Sequence, residues 1–201
     1  MSSTFEVKER ERAEVKKKMS ESMAEGKVLI VERYPYGIRF FDKESSESYF
    51  IKDSDKEGWF VFVVEKNGEM VDVTEDKYEN LGVKSLDDLY YGLTLFPTEF
   101  FEMLTGEKIK IDFLISISKH KFEVCEVDAT EDGSPARDMS ELTECYTVHN
   151  DEKRIDYDNY ATIPPDWILT LDVDYNFDEL LQKALKDPEQ GIKEIEKYVE
   201  W

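Results

Sequence analysis

The chain has 201 residues, of which 47 are acidic and 26 are basic, and its formal net charge is −21. A charge of this sign repels nucleic-acid phosphates and anionic membrane surfaces, so neither is expected as a direct ligand. Hydrophobic residues make up 40% of the chain and aromatic residues 13%, a composition too apolar for a disordered acidic chain. We therefore expect a folded body that carries its charge on its surface.

The N-terminal segment differs in charge from the rest of the chain. Residues 1–27 carry a net charge of +1, whereas residues 28–201 carry −22. Charged side chains at three- and four-residue spacing predict a charged helix over residues 5–24, whose apolar stripe is too narrow for a core helix. We expect a helical segment over 1–27 and an α+β body over 28–201, with either one core or two sub-cores, 28–106 and 107–201.

The first part of the body is rich in strand signals. Short apolar runs predict three strands, at Val28–Val31, Ile38–Phe41 and Ser48–Ile51. The strongest signal is a pair of β-rich runs, Trp59–Val64 and Met70–Val73, with Asn67-Gly68 between them. Because both turn residues tolerate positive φ, this dipeptide predicts a hairpin.

Two pairs of helices are expected, one in the middle of the chain and one at its end. Ser85 is a predicted N-cap, and Pro97 begins a second short helix that ends at Gly106. Asn176 is the predicted N-cap of the first C-terminal helix, and Pro188 begins the last one.

A second β region lies between the helical pairs. The alternation over residues 109–117 predicts a half-buried strand, and Phe122–Val127 is expected to be its partner. Cys145–Val148 and Trp167–Val173 are further predicted strands, whereas the polar residues 149–166 are expected to be irregular. The predicted fold is therefore α+β, a largely antiparallel sheet or sheets with an N-terminal charged helix, a central helical pair and C-terminal helices.

The termini and the cysteines indicate an intracellular protein. The first residues run directly into alternating charges without an apolar signal segment. The longest uncharged stretch, Leu89–Thr98, is shorter than the roughly 20 residues of a transmembrane helix. We expect a cytoplasmic protein, in which Cys125 and Cys145 are free thiols. No cofactor is indicated, because the sequence has no Gly-rich phosphate loop.

One pair of carboxylates suggests an enzyme. Asp172 and Asp174 are two residues apart in a predicted strand, so they should share a face, where paired carboxylates can hold Mg²⁺ or Mn²⁺. The pair resembles the carboxylate pair of nucleotidyltransferases, although the turn at Gly133-Ser134 lies 38 residues before Asp172 rather than shortly before it. The resemblance implies an alternative function, a divalent-metal-dependent phosphoryl or nucleotidyl transferase with Asp172 and Asp174 as ligands.

The excess of acid is itself the leading functional signal. Carboxylates spaced like phosphates on a compact protein compete for a DNA-binding groove by the same electrostatics that attract DNA. The sequence therefore predicts a non-enzymatic acidic binding protein, of the kind of viral inhibitors and DNA mimics, that docks on a basic, nucleic-acid-handling protein. The candidate binding residues form two rows: Glu123, Glu126, Asp128, Glu131 and Asp132, and then Asp151, Glu152, Asp156 and Asp158, with Tyr157 and Tyr160, which are expected to be exposed, beside the second row.

Two further interpretations stay open at this point. The acidity could serve solubility alone. The predicted helix over residues 5–24 could instead pair with itself or with a partner, as in a structural or assembly protein. The sequence leaves the identity of the partner and the oligomeric state undetermined.

Overall fold

The computed structural model describes residues 26–128, 140–160 and 166–200. In these ranges the chain forms ten strands and four α-helices. The strands are β1 (Lys27–Tyr34), β2 (Gly37–Asp42), β3 (Glu47–Asp53), β4 (Phe60–Lys66), β5 (Glu69–Asp76), β6 (Ile111–Ile117), β7 (Lys121–Val127), β8 (Leu142–His149), β9 (Arg154–Asn159) and β10 (Asp166–Leu171). The helices are α1 (Leu86–Leu95), α2 (Pro97–Thr105), α3 (Phe177–Lys186) and α4 (Pro188–Glu196). None of these helices is both long enough and apolar enough to cross a membrane.

All ten described strands lie in one sheet, in the order β10-β9-β8-β7-β6-β1-β2-β3-β4-β5. Neighbouring strands are antiparallel except β1 and β6, which pair in parallel at the centre. The same order of elements therefore occurs twice. Five consecutively paired strands and two helices make up the first half (β1–β5, α1, α2) and again the second half (β6–β10, α3, α4).

The two helical pairs cover opposite faces of the sheet. One core joins Leu89 of α1 with Val31 of β1, and the other joins Ile195 of α4 with Ile30 of β1. Adjacent residues of a strand point to opposite faces, so the two cores lie on the two sides of the sheet. A twofold rotation about an axis along the strands, between β1 and β6, would produce this arrangement.

The central strands are covered on both faces as a result. Leu114 and Ile115 are adjacent in β6, and both are completely buried, one in each core. The prediction of a half-buried strand is therefore corrected here, because a helical pair lies on each side of β6.

The local turn and cap signals are confirmed. Asn67 and Gly68 adopt φ values of 53° and 81° between β4 and β5, the left-handed backbone that a tight hairpin turn requires. The Ser85 side chain accepts a hydrogen bond from the Asp88 N–H at 3.1 Å and so caps α1. The Asn176 side chain caps α3 by accepting a hydrogen bond at 3.0 Å from the backbone N–H of Glu179, three residues later.

The sheet of the described chain is largely antiparallel, as predicted, and its one parallel pair is β1 and β6. The predicted fold is wrong in its N-terminal element. The charged N-terminal helix is not among the observed elements, because residues 5–24 lie outside the described part of the chain. In addition, part of the segment expected to be irregular forms β9, in which Ile155 and Tyr157 alternate with charged residues and bury one face.

Candidate interaction surface

Each helical pair covers one face of its own half of the sheet. Part of the opposite face of that half is left uncovered. In the second half this part lies on β8–β10, on the side away from α3 and α4. We call it the open face. It is defined by the side chains that share it, Thr147 and His149 of β8, Arg154, Asp156 and Asp158 of β9, and Trp167, Leu169 and Leu171 of β10.

The outer row of the open face is apolar. Trp167, Leu169 and Leu171 are 67%, 54% and 61% exposed, whereas Thr170 between them is 8% exposed. Ile168 and Thr170 face the core of the second half, whereas the outward face of the strand carries only these three exposed apolar residues. An exposed apolar row of this kind is typical of a surface that contacts another molecule.

The strand β10 is also an edge without the usual protection. It pairs with β9 over six consecutive residues without a bulge, and it contains neither Lys nor Pro. Natural edge strands are commonly blunted by these features. At the opposite edge, the pairing of β4 with β5 is interrupted by a register shift between Val64 and Glu65. Among the described strands, none pairs with the outer side of β10.

The inner row of the open face is charged. Asp158, Asp156 and Arg154 lie directly opposite Trp167, Leu169 and Leu171. Arg154 contacts Glu152 at 2.8 Å and Asp156 at 3.4 Å, and the His149 ring lies 2.9 Å from Asp156 Oδ2. Burial and the neighbouring Asp156 both raise the pKa of Asp158. In this row Arg154 therefore offsets the charge of Asp156, whereas the charged form of Asp158 is destabilised.

The His149 cluster lacks the parts of a nucleophilic site. Asp156 could orient the imidazole, but the second partner of His149 Nε2 is Arg154 Nη2 at 3.1 Å, which is not a nucleophile. The nearest hydroxyl along the strand, that of Thr147, donates instead to Glu123 Oε2 at 3.0 Å. The described contacts of His149 therefore do not include a nucleophilic side chain.

Glu123 is half-buried and lies directly across from Thr147, on the same face of the sheet. Burial raises the pKa of its carboxyl, and the hydrogen bond from Thr147 and the charge of Lys121 offset this effect only in part.

The two cysteines face each other across β7 and β8 and form a disulfide. The expectation of free thiols is wrong, because the sheet brings Cys125 and Cys145 together although 20 residues separate them in sequence. With Glu123 they are the one group of three metal-ligating residue types that the described part of the chain brings together. Since thiolates bind metals and disulfide sulfurs do not, the group in this oxidised form is not a metal centre.

Asp172 and Asp174 do not share a strand face. The strand β10 ends at Leu171, and Asp172 has a φ of 57°, which interrupts the two-residue alternation. The side chain of Asp174 is 92% exposed and pairs with Lys153 at 3.1 Å. The premise of the transferase hypothesis, two carboxylates on one face of a strand, is therefore wrong.

The first predicted acidic row does not form one line. Glu123 and Glu126 project to opposite faces of β7, and Asp128 is exposed just beyond the end of that strand. Burial and three neighbouring glutamates raise the pKa of Glu126. Glu131 and Asp132 lie outside the described residues.

The second predicted row is closer together. Asp151 and Glu152 are exposed in the turn before β9, and Asp156 and Asp158 lie on the open face. Tyr157 points to the other face, where it is 4% exposed and its ring lies 5.0 Å from that of Tyr146. The expectation that Tyr157 is exposed is therefore wrong, and Tyr160 is half-buried against the core of the first half.

Sequence reasoning did not identify the apolar row as a candidate site. Its signal in the sequence is the alternation over residues 167–171, which predicts a strand but does not show which face the helices cover.

Comparison of the chain with protein-family models, with curated proteins and with solved structures finds no match.

Proposed function

We propose that the chain is a non-enzymatic acidic binding protein whose partner is a basic protein that handles nucleic acid. The observation that carries this proposal is the charge of the folded body. In the described ranges, 38 acidic side chains stand against 19 basic ones, a net charge of −19. One continuous sheet and its helices carry this excess, so the positions of the charges are fixed relative to one another. A basic surface can match such an arrangement.

Crowding of like charges in the second half supports the proposal. Burial raises the pKa values of Glu126 and Asp158, and neighbouring carboxylates raise them further. A cationic partner would offset this repulsion and favour the charged forms. The repulsion between these carboxylates in the free chain would be relieved on a basic surface. This relief favours docking.

The class of partner follows from the sign of the charge. Proteins that bind nucleic acid present Lys and Arg to phosphates, and an acidic body can occupy the same surface. We propose an inhibitor that competes with nucleic acid in this way, as expected for a DNA mimic of viral origin. Nucleic acid and anionic membranes themselves would be repelled.

We also propose that the chain acts in the cytoplasm, where many nucleic-acid-handling proteins work. Disulfides are rare in reducing compartments, because thiolates attack them. Both Cys125 and Cys145 are completely buried, and this burial hinders such an attack. The disulfide is therefore compatible with a cytoplasmic site of action.

The test is a binding assay against a panel of purified DNA- and RNA-binding proteins. We expect at least one member to bind the full chain, with an affinity that falls steeply between about 50 and 200 mM salt. Duplex DNA should displace the chain from that member. No binding to any member, or binding that neither salt nor DNA weakens, contradicts the proposal.

An unrelated folded protein of similar net charge provides the control. If the charge of this chain has a specific shape, the control should bind the same panel member more weakly at every salt concentration. Equal binding of the two proteins would contradict the proposal that the fold presents the charge in a specific arrangement.

A further inference from the structure

We infer that β10 is the docking edge, and that the partner adds an extended basic and apolar segment to the sheet there. The apolar side chains of this segment would cover Trp167, Leu169 and Leu171. This inference rests on the proposed function and names the surface that it uses.

The backbone of β10 provides the first argument. Alternate residues of an antiparallel edge strand direct their N–H and C=O groups away from the sheet. No described strand pairs with the outer side of β10, and its pairing with β9 is regular along all six residues. An incoming extended segment can therefore continue the sheet, as in other cases of strand addition.

The side chains of β10 provide the second argument. The exposed apolar residues recur at every second position, so they would meet every second residue of an added strand. Trp167 is the largest of them, and an exposed indole ring can also stack with a Lys or Arg side chain of the partner.

Charge complementarity determines the chemistry of the added segment. Asp166 and Asp172 lie at the two ends of the apolar row, and Asp166 projects to the face opposite to that row. A segment in which Lys or Arg alternates with apolar residues would cover the row with its apolar side chains and direct its cations to the face of Asp166. An acidic or purely apolar segment would leave this carboxylate uncompensated.

A second copy of the chain fits this edge poorly. Antiparallel pairing of two β10 strands would bring Asp166 of one copy close to Asp172 of the other at both ends of the interface. Each copy also has a formal net charge of −21. The same electrostatics that favour a basic partner therefore oppose self-association at β10.

The opposite edge of the sheet is a matched control within the chain. β5 also exposes apolar residues, among them Val73, which is 49% exposed. However, acidic residues interrupt its sequence, and a register shift disturbs its pairing with β4. A change at Val73 should therefore leave docking intact.

The test uses a synthetic peptide of alternating lysine and valine, about ten residues long. Hydrogen–deuterium exchange of the full chain is measured with and without this peptide. We expect slower exchange of the β10 amides on peptide addition, with no change in β5, and no effect of a peptide of alternating glutamate and valine. Unchanged exchange in β10, or equal protection of both edges, overturns the inference.

Variants locate the site independently. Leu169→Asp should weaken peptide binding by about tenfold or more, and Leu169→Thr, the milder change, should weaken it less. Val73→Asp should bind as the wild type does. Equal losses in Leu169→Asp and Val73→Asp, or a doubled mass of the free chain in sedimentation with no peptide binding, overturn the inference.

The outcomes separate this inference from the proposed function. If a nucleic-acid-binding protein binds the chain without protecting β10, the docking edge is wrong and the proposed function stands. If the peptide protects β10 but no member of the panel binds, the edge is correct and the proposed function is wrong.

Discussion

Leu169 of β10 lies directly across from Asp156 of β9, on the same face of the sheet. Leu169 is largely exposed, whereas Asp156 contacts both His149 and Arg154. The edge of the second half therefore combines an unburied apolar row with a charged row that is held in place. This combination suits contact with another molecule, and it implies that the apolar row adds little to the stability of the free chain.

The first prediction concerns that stability. Replacing Leu169 by Thr should change the free energy of unfolding by no more than about 0.5 kcal/mol, because the side chain is exposed and Thr favours strands. Leu114→Ala removes a completely buried side chain and should cost about 2–5 kcal/mol. Urea unfolding followed by circular dichroism measures both values. Equal losses for the two variants would mean that Leu169 belongs to a core.

Much of the local structure could be predicted because its signals are short-range. Asn67-Gly68 specifies a turn by its backbone freedom, and Ser85 and Asn176 specify helix starts by their side-chain hydrogen bonds. These interactions involve residues close together in sequence. They therefore appear in the sequence as recognisable patterns.

The open face could not be predicted because it depends on long-range arrangement. The alternation over residues 167–171 predicts β10, but the position of α3 and α4 on the other face of the sheet determines that Leu169 is exposed. Likewise, the pairing of Cys125 with Cys145 follows from the register of β7 and β8. Neither relation has a local signal in the sequence.

The second prediction concerns the carboxyl of Glu123, which is half-buried. Burial raises its pKa in the folded chain above the unfolded value of about 4.3, so the folded state binds the proton more tightly. This group therefore reduces stability as pH rises through the unfolded pKa, and the full reduction is present above the folded pKa. Glu123→Gln keeps an oxygen that can accept the Thr147 hydrogen bond and removes the charge.

We expect Glu123→Gln to unfold at a higher urea concentration than the wild type at pH 7, with the difference disappearing near pH 4. Asp72→Asn, at an exposed position of β5, is the control and should lack this pH-dependent gain. A variant that is less stable than the wild type at pH 7 would show that the charge of Glu123 is stabilising.

The third prediction concerns the disulfide. The chain has two cysteines, so a thiol reagent should detect no free thiol in the denatured, unreduced protein and two after reduction. Because the bond spans 20 residues, reduction should lower the free energy of unfolding by about 3 kcal/mol on the loop-entropy estimate. Detection of two thiols before reduction would contradict the assignment.

The fourth prediction concerns the contact between α3 and α4. A Cβ atom at Gly191 would lie 2.5 Å from the Ala184 Cα, too close for two packed helices. Gly191→Val should therefore destabilise the fold by about 1–3 kcal/mol, measured by thermal or urea unfolding. Gln190→Val places the same side chain at the neighbouring, exposed position and should cost clearly less. Equal costs would attribute the effect to helix propensity alone.

The most direct test of the account is the salt dependence of peptide binding to the open face. The lysine–valine peptide is titrated into the wild type, into Asp166→Asn/Asp172→Asn and into Asp72→Asn/Asp76→Asn, the equivalent change on β5. Asn tolerates the positive φ at position 172, so the first variant should fold normally. We expect a steep loss of affinity with salt for the wild type and the β5 variant, and weaker binding with a shallower salt dependence for Asp166→Asn/Asp172→Asn. The same affinity and salt dependence in all three proteins would contradict it.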